Sequence, residues 1–299
     1  MAEQIMAHRA AAPLPPRRPE RLVRPDTLGA IGDVARPLTR LERVWQQTAV
    51  RRTAILLLLG VLWQAYATWV DNPLLFPSLT QTVSALWEAV VRGPLIERTF
   101  TSLQILLIGY GLGLALAAVF TTLAVSTRIG TDLLSTLTAM FNPLPAIALL
   151  PLALLWFGLG YKSLVFVIIH SVLWAVALNT HSGFTSVSQT LRMAGQNCGL
   201  RGLSYVAFLL VPAAFPSMLT GLKIGWAFAW RTLIAAELVF GVSSRSGGLG
   251  WFIFENRNEL ETASVFAGLF TVIIIGLVVE SVIFRGIENA TVRRWGMQS

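Results

Sequence analysis

From Thr53 to Phe284 the sequence returns six times to apolar runs long enough to cross a bilayer, and that recurrence limits the fold more than any motif does. A spanning helix needs roughly 20 mostly apolar residues. Such runs lie near 53–70, 100–126, 132–157, 162–180, 213–240 and 264–284. Backbone polar groups cannot stay unpaired in hydrocarbon, so the runs must be helices or strands of a closed barrel. The alternation that marks barrel strands is absent. The expected fold is an all-α membrane protein with six transmembrane helices. Composition agrees: 55% of the 299 residues are hydrophobic and 13% are charged, with mean hydropathy +0.65, whereas a soluble domain carries about 25% charge. The stretch LTQTVSALWEAVVR, 79–92, has a helical apolar period but carries charge. It is expected to lie along the interface.

The net charge of +8 raises the question of nucleic acid. Ten of the 23 basic residues precede Thr53 and no folded basic module is visible, so no nucleic-acid partner is expected. Cationic residues accumulate on the cytoplasmic side of membrane proteins. The ten N-terminal arginines, Arg128, Arg192, Arg201, Arg293 and Arg294 fall on one side of the predicted topology. Arg92, Arg98, Lys162, Arg245 and Arg257 fall on the other, mixed with acids. Both termini and the 181–211 connector are therefore expected in the cytoplasm. Residues 1–52 lack the apolar core of a secretory signal. Their Pro-, Ala- and Arg-rich composition predicts a disordered basic cytoplasmic tail. The spans and connectors, 53–290, form one domain, and 291–299 a C-terminal cytoplasmic tail. The single Cys198 excludes an internal disulfide.

Two features depart from simple spanning. The connector MAGQNCGLRGLSYVAFLLVP, Met193 to Pro212, is long and polar at its start. Gly199 and Gly202 permit backbone angles that other residues resist, and Pro212 is suited to start the following helix. Either these residues merely punctuate a connector, or they shape a short rigid helix that docks on a partner outside the membrane. The second feature is polarity within the spans. Pro143, Pro145 and Pro151 each remove a backbone donor and bend the third span, either for packing or to line a pathway. Arg231 is costly in mid-span unless paired or hydrated. It either lines a path and attracts an anion, or pairs with Glu237 or an acid on another helix. Lys223 is expected to snorkel. His170 either hydrogen-bonds between helices or relays protons. Gly109 with Gly113, and Gly221 with Gly225, have the spacing of close helix packing.

Catalytic chemistry has no support. No phosphate-binding loop is present, so the chain cannot itself hydrolyse ATP. The histidines and the cysteine lack metal-ligand spacing. GGLG at 247–250 is too weak a pattern for nucleotide binding and suits a flexible loop on the outer side.

With these residues in view, the chain resembles the permease subunits of bacterial ATP-binding-cassette (ABC) importers. Their signature loop runs Glu-Ala-Ala, three residues, Gly, nine residues, Ile, one residue, Leu-Pro. Anchored on Gly199 and Pro212, it places Ala194 and Gly195 at the alanines and Leu209 and Val211 at the apolar pair. Met193 stands at the acidic place, a departure. Asn142–Gly160, NPLPAIALLPLALLWFGLG, resembles the corresponding span of the nitrate, sulfonate, taurine and bicarbonate branch. That branch often has an acid where Tyr161 and Lys162 follow. AWRTLIAAELVFG with GGLGWFIFENRNEL is a third match.

The resemblance implies a type I (MetI-like) transmembrane domain that works as a homodimer in the bacterial inner membrane. It implies an ATPase dimer that binds Mg-ATP and grips Met193, Ala194, Gly195, Gly199, Leu200, Arg201 and Gly202, with Pro212 closing the loop. It also implies a periplasmic or lipid-tethered substrate-binding protein, and a small anion such as nitrate, a sulfonate, bicarbonate or an organic acid as cargo. Pro143, Pro145, Pro151, His170, Arg231 and Glu237 are the candidate pathway residues. No cofactor or metal is expected on this chain. The alternative is a stand-alone channel or ion-coupled carrier with His170, Arg231 and Glu237 as its polar core.

Overall fold

The computed structural model describes Glu42 and residues 45–240 and 247–294. Its contacts group the chain into residues 1–57 and 58–299. In the first unit the tail expected over 1–52 lies largely outside the described residues. Helix α1, Thr48–Val70, already includes Arg51 and Arg52, and the Arg51 guanidinium donates to the carbonyls of Trp45 and Gln46.

The regular structure of the second unit is helical throughout its described residues. It comprises the rest of α1, α2 (Leu79–Val91), α3 (Leu95–Ser126), α4 (Arg128–Phe141), α5 (Leu150–Phe157), α6 (Tyr161–Ser186), α7 (Gln189–Asn197), α8 (Gly202–Tyr205), α9 (Val211–Phe240), α10 (Leu249–Asn258), α11 (Thr262–Val278) and α12 (Arg285–Glu288). Among the described residues five stretches are long and apolar enough to cross a membrane: Thr48–Val70, Leu95–Ser126, Tyr161–Ser186, Val206–Val239 and Thr262–Arg293. The sixth expected span is not one helix. Arg128–Phe141 and Ala146–Phe157 meet at 88°, and neither arm alone reaches the roughly 20 residues needed to cross.

The prolines explain the break and refine what was expected of them. Pro143 and Pro145 lie in the gap after α4, where the missing donors end the helix. Pro151 bends nothing: it sits in the first turn of α5, where backbone donors have no intrahelical partner anyway. Nor does Pro212 start a helix. The chain is already helical from Gly202, and a π-turn over Val206–Leu210 runs directly into α9. That wider turn relieves the clash between a proline ring and the carbonyl four residues back.

Helix α6 is the centre of the bundle. Its most apolar stretch is 72% buried, against 17–28% for the spans at 95–126, 206–239 and 262–293. It packs between α3 and α9, and the paired glycines let it do so. A Cβ on Gly109 would lie 2.6 Å from Ile168 and one on Gly113 2.7 Å from Val172; one on Gly221 would lie 2.8 Å from Asn179. The expected close approach therefore occurs on both sides of one helix.

Helix α2 begins with a capping box between Ser78 and Gln81 and packs on α11. Trp63 of α1 donates to the Pro77 carbonyl at 2.9 Å and meets Phe266 and Phe270 of α11. Lys223 pairs with Glu288 of α12 at 2.7 Å.

Candidate translocation cavity and coupling loop

The break in the third span opens a cavity of about 290 Å³, walled by Asn142–Ile147, by α6 and by α9. Of the expected pathway residues it brings together Pro143, Pro145, His170 and Arg231. Spacing explains two walls. His170 and Trp174 are one helical turn apart, as are Phe228 and Thr232, with Arg231 between that pair. Trp174 stacks on Phe141 at 5.5 Å with the planes 13° apart, and His170 presents its ring at a steep angle to both. Neither His170 ring nitrogen has a hydrogen-bond partner, and neither does Trp174 Nε1. Ser171 bonds Thr232 at 2.9 Å, joining α6 to α9. Arg231 is exposed and makes no ion pair among the described residues.

Glu237, expected either in the pathway or as the partner of Arg231, does not line this cavity. It is fully buried, and its carboxyl oxygens take the Ser102 hydroxyl at 2.9 and 2.8 Å and the Gly250 amide at 2.8 Å. Ser102 in turn accepts the Leu249 amide at 2.7 Å. These two amides belong to the first turn of α10, whose N-cap is Gly248, with no capping side chain of its own. Ser102 and Glu237 thus satisfy donors that a helix start leaves open, and the positive end of the helix dipole faces the carboxyl group. One turn before Ser102, Arg98 donates to the Gly247 carbonyl at 3.1 Å and reaches Glu255 at 3.4 Å. The GGLG stretch is therefore tied to α3 and α9 rather than loose. A Cβ on Gly250 would lie 2.6 Å from the Cβ of Glu237. The remaining residues of that loop, 241–246, lie outside the described residues. Pro151 also stands apart from the cavity wall.

The connector after α6 is shorter than 181–211, because α6 continues to Ser186 and helix resumes at Gly202. Between them stands α7, capped by Ser188, whose hydroxyl accepts the Leu191 amide. Arg192 folds back onto the carbonyls of Phe184 and Val187. The helix ends in a Schellman motif: Leu200 N–H bonds the Gly195 carbonyl and Gly199 N–H the Gln196 carbonyl, both at 3.0 Å. Gly199 takes φ +82° and Gly202 φ +56°, left-handed angles that glycine adopts at least cost. Gly195 is buried, and a Cβ there would lie 2.1 Å from Leu209. The second alanine place and the isoleucine place of the signature loop are therefore in contact, and any side chain at 195 would have to displace the end of Leu209. Leu200, Leu209 and Leu210 pack with Phe184 and Val187. Met193, Ala194, Gly199, Arg201 and Gly202 face outward.

Asn142, Trp174 and Thr232 were not singled out as site residues. Trp174 could have been found from its turn-spacing to His170. Ser102 offers no such signal, lying 135 residues from Glu237 as an ordinary polar residue in an apolar helix.

A broken span beside a wall with one cation and no carboxylate, and a capped polar loop between two long apolar helices, belong to a multi-pass membrane protein. The family of binding-protein-dependent transport system inner membrane components matches residues 109–285. A putative ABC transporter permease of Methanocaldococcus jannaschii is 31% identical over 224 residues, covering 74% of this chain and 83% of the relative. The taurine transport system permease of Escherichia coli is 30% identical over 256 residues, covering 81% and 89%. The nitrate import permease of Synechocystis is 25% identical over 250 residues, covering 80% and 88%. The chain belongs to this family: it is the permease subunit of an ABC importer, a transport component of the inner membrane rather than an enzyme. Membership implies an ATPase and a substrate-binding protein as partners.

Proposed function

We propose that this permease moves a small oxyanion, of the sulfonate or nitrate kind, past Arg231 and His170. The relatives named for taurine, aliphatic sulfonates and nitrate support that class. One observation carries the reading: the cavity is lined by a cation without a counter-charge and by His170 and Trp174, whose buried ring nitrogens have no hydrogen-bond partner. A buried donor left unpaired is costly, and an oxyanion supplies the missing acceptors and the missing charge together.

In this reading two identical copies form the pathway, and both termini lie in the cytoplasm. Residues 188–202 dock on the ATPase, which binds Mg-ATP. The rigid Schellman turn passes the movement of the ATPase to α6 and α9, the helices that wall the cavity. The departure at Met193, 55% exposed, makes that contact apolar where relatives of the signature type use an acid.

Reconstitution with the ATPase and binding protein tests both halves. Uptake of taurine, methanesulfonate and nitrate is expected to need ATP. Gly199→Val, which forces a β-branched residue to positive φ, should abolish uptake and co-purification of the ATPase while the permease stays in the membrane. Undiminished uptake without any ATPase would return the chain to the channel or carrier class.

A further inference from the structure

Buried polar atoms without partners continue beyond the cavity. Six buried side-chain polar atoms among the described residues have no hydrogen-bond partner, and five lie on one wall: both nitrogens of His170, Trp174 Nε1, Thr138 Oγ1 and His181 Nδ1. On α6, positions 170, 174, 178 and 181 share a face by helical spacing. The lower part of that face, with Thr138 of α4, lines a second cavity of about 360 Å³. The two cavities have Asn142 and Pro143 in common. Thr138 is 7% exposed, and its hydroxyl leaves unused the carbonyl four residues back, where a helical threonine usually bonds. Neither wall carries a carboxyl group. Eleven residues of helix put His181 about 16 Å from His170, towards the end of α6 that leads into the candidate coupling helix.

We infer that Thr138 and His181 form a second solute subsite, on the path from the Arg231 cavity towards the coupling-loop end of the molecule, and that it takes the same small oxyanion through hydrogen bonds without a formal positive charge. This rests on the transport reading above. Separating the steps suits directional movement. Arg231 attracts the anion by charge, and a site of neutral donors holds it more weakly, so the solute can leave. Asn142 and Pro143, at the broken corner of the third span, stand between the two sites, where a change in the 88° bend would open or close the passage.

The test uses the assembled complex in proteoliposomes. Thr138→Cys is exposed to a small anionic methanethiosulfonate reagent, and peptide mass spectrometry follows the modification. Leu107→Cys, on the exposed apolar side of α3, is the comparison, and the native exposed Cys198 is the internal reference for reagent activity. Modification at 138 at least ten times faster than at 107 is expected, and slower modification when taurine is present during turnover. Equal rates at 138 and 107 would overturn the subsite. So would a disulfide between the 138 positions of two copies under mild oxidation, because the second copy would then cover the wall. In parallel, Thr138→Val should lower ATP-dependent taurine uptake about fivefold, with Thr138→Ser restoring it; uptake equal to the unaltered complex would also overturn the proposal. If the unaltered complex carries none of taurine, methanesulfonate and nitrate, the oxyanion reading of the Arg231 cavity fails, while the labelling comparison still decides whether a solute path exists at Thr138.

Discussion

Two clusters of polar groups are buried in the same bundle, and they are built in opposite ways. Around Glu237 each buried group named above has a partner: both carboxyl oxygens accept, Ser102 both donates and accepts, and the first amides of α10 are taken up. Along the wall from His170 to His181 the donors are left open. The cost of burying a polar group without a partner is the same in both places, so the difference marks a difference of role. The Glu237 cluster joins α3, α9 and α10 and holds the fold. The open wall is stable only because the rest of the bundle carries it, and in the reading proposed above its unpaired groups serve the solute.

The largest effects should follow from breaking the closed cluster. Glu237→Ala strips partners from the Ser102 hydroxyl and the Gly250 amide and leaves a cavity. A loss of about 3 kcal/mol is expected, read as the midpoint of SDS-induced unfolding in mixed micelles. Ser102→Ala removes one hydroxyl but two roles, leaving the Leu249 amide open; about 2 kcal/mol is expected in the same measurement. Losses below about 0.5 kcal/mol for both would mean that the cluster does not hold the three helices, and the contrast between the regions would collapse.

How much of this contrast the sequence discloses depends on range. The spans were legible because length and apolarity suffice to place a helix in lipid, and five of the six appear as continuous helical stretches that overlap the expected runs, with edges shifted by up to nine residues. The prolines were legible as disturbances but not in kind. Whether Pro151 bends a helix or begins one depends on where the previous helix ends, and Pro143 and Pro145 decide that. Gly199 was legible because a left-handed turn asks for glycine; the contact of Gly195 with Leu209, fourteen positions away in the π-turn, was not. Arg231 stood out through its charge. Thr138 and Trp174 did not, since in an apolar helix they read as ordinary filling, and only the three-dimensional wall shows that their donors are unused.

On the open wall, charge comes next in magnitude. Arg231→Gln should reduce ATP-dependent anion uptake about tenfold, equivalent to about 1.4 kcal/mol, through a higher concentration for half-maximal uptake. Its unfolding midpoint should move by less than about 0.5 kcal/mol, as expected of an exposed side chain without an ion pair. Equal loss of uptake and stability would place Arg231 with Glu237, as a structural residue, and would erase the line between the two regions.

The smallest expected stability effect gives the sharpest comparison, because Thr138→Val and Ser102→Ala both delete one buried hydroxyl. Ser102 gives up bonds on two sides; Thr138 gives up none. Valine keeps the shape of threonine, so the substitution creates no cavity, and replacing an unbonded hydroxyl by a methyl removes a desolvation cost rather than a bond. Thr138→Val should therefore leave the unfolding midpoint unchanged or raise it by up to about 1 kcal/mol, against the roughly 2 kcal/mol lost at Ser102. A stable protein with impaired uptake is the signature of a group kept for the solute at the expense of the fold. A destabilisation comparable to that of Ser102→Ala would mean that Thr138 does have a partner in the assembled membrane protein, and that its wall is closed like the cluster around Glu237.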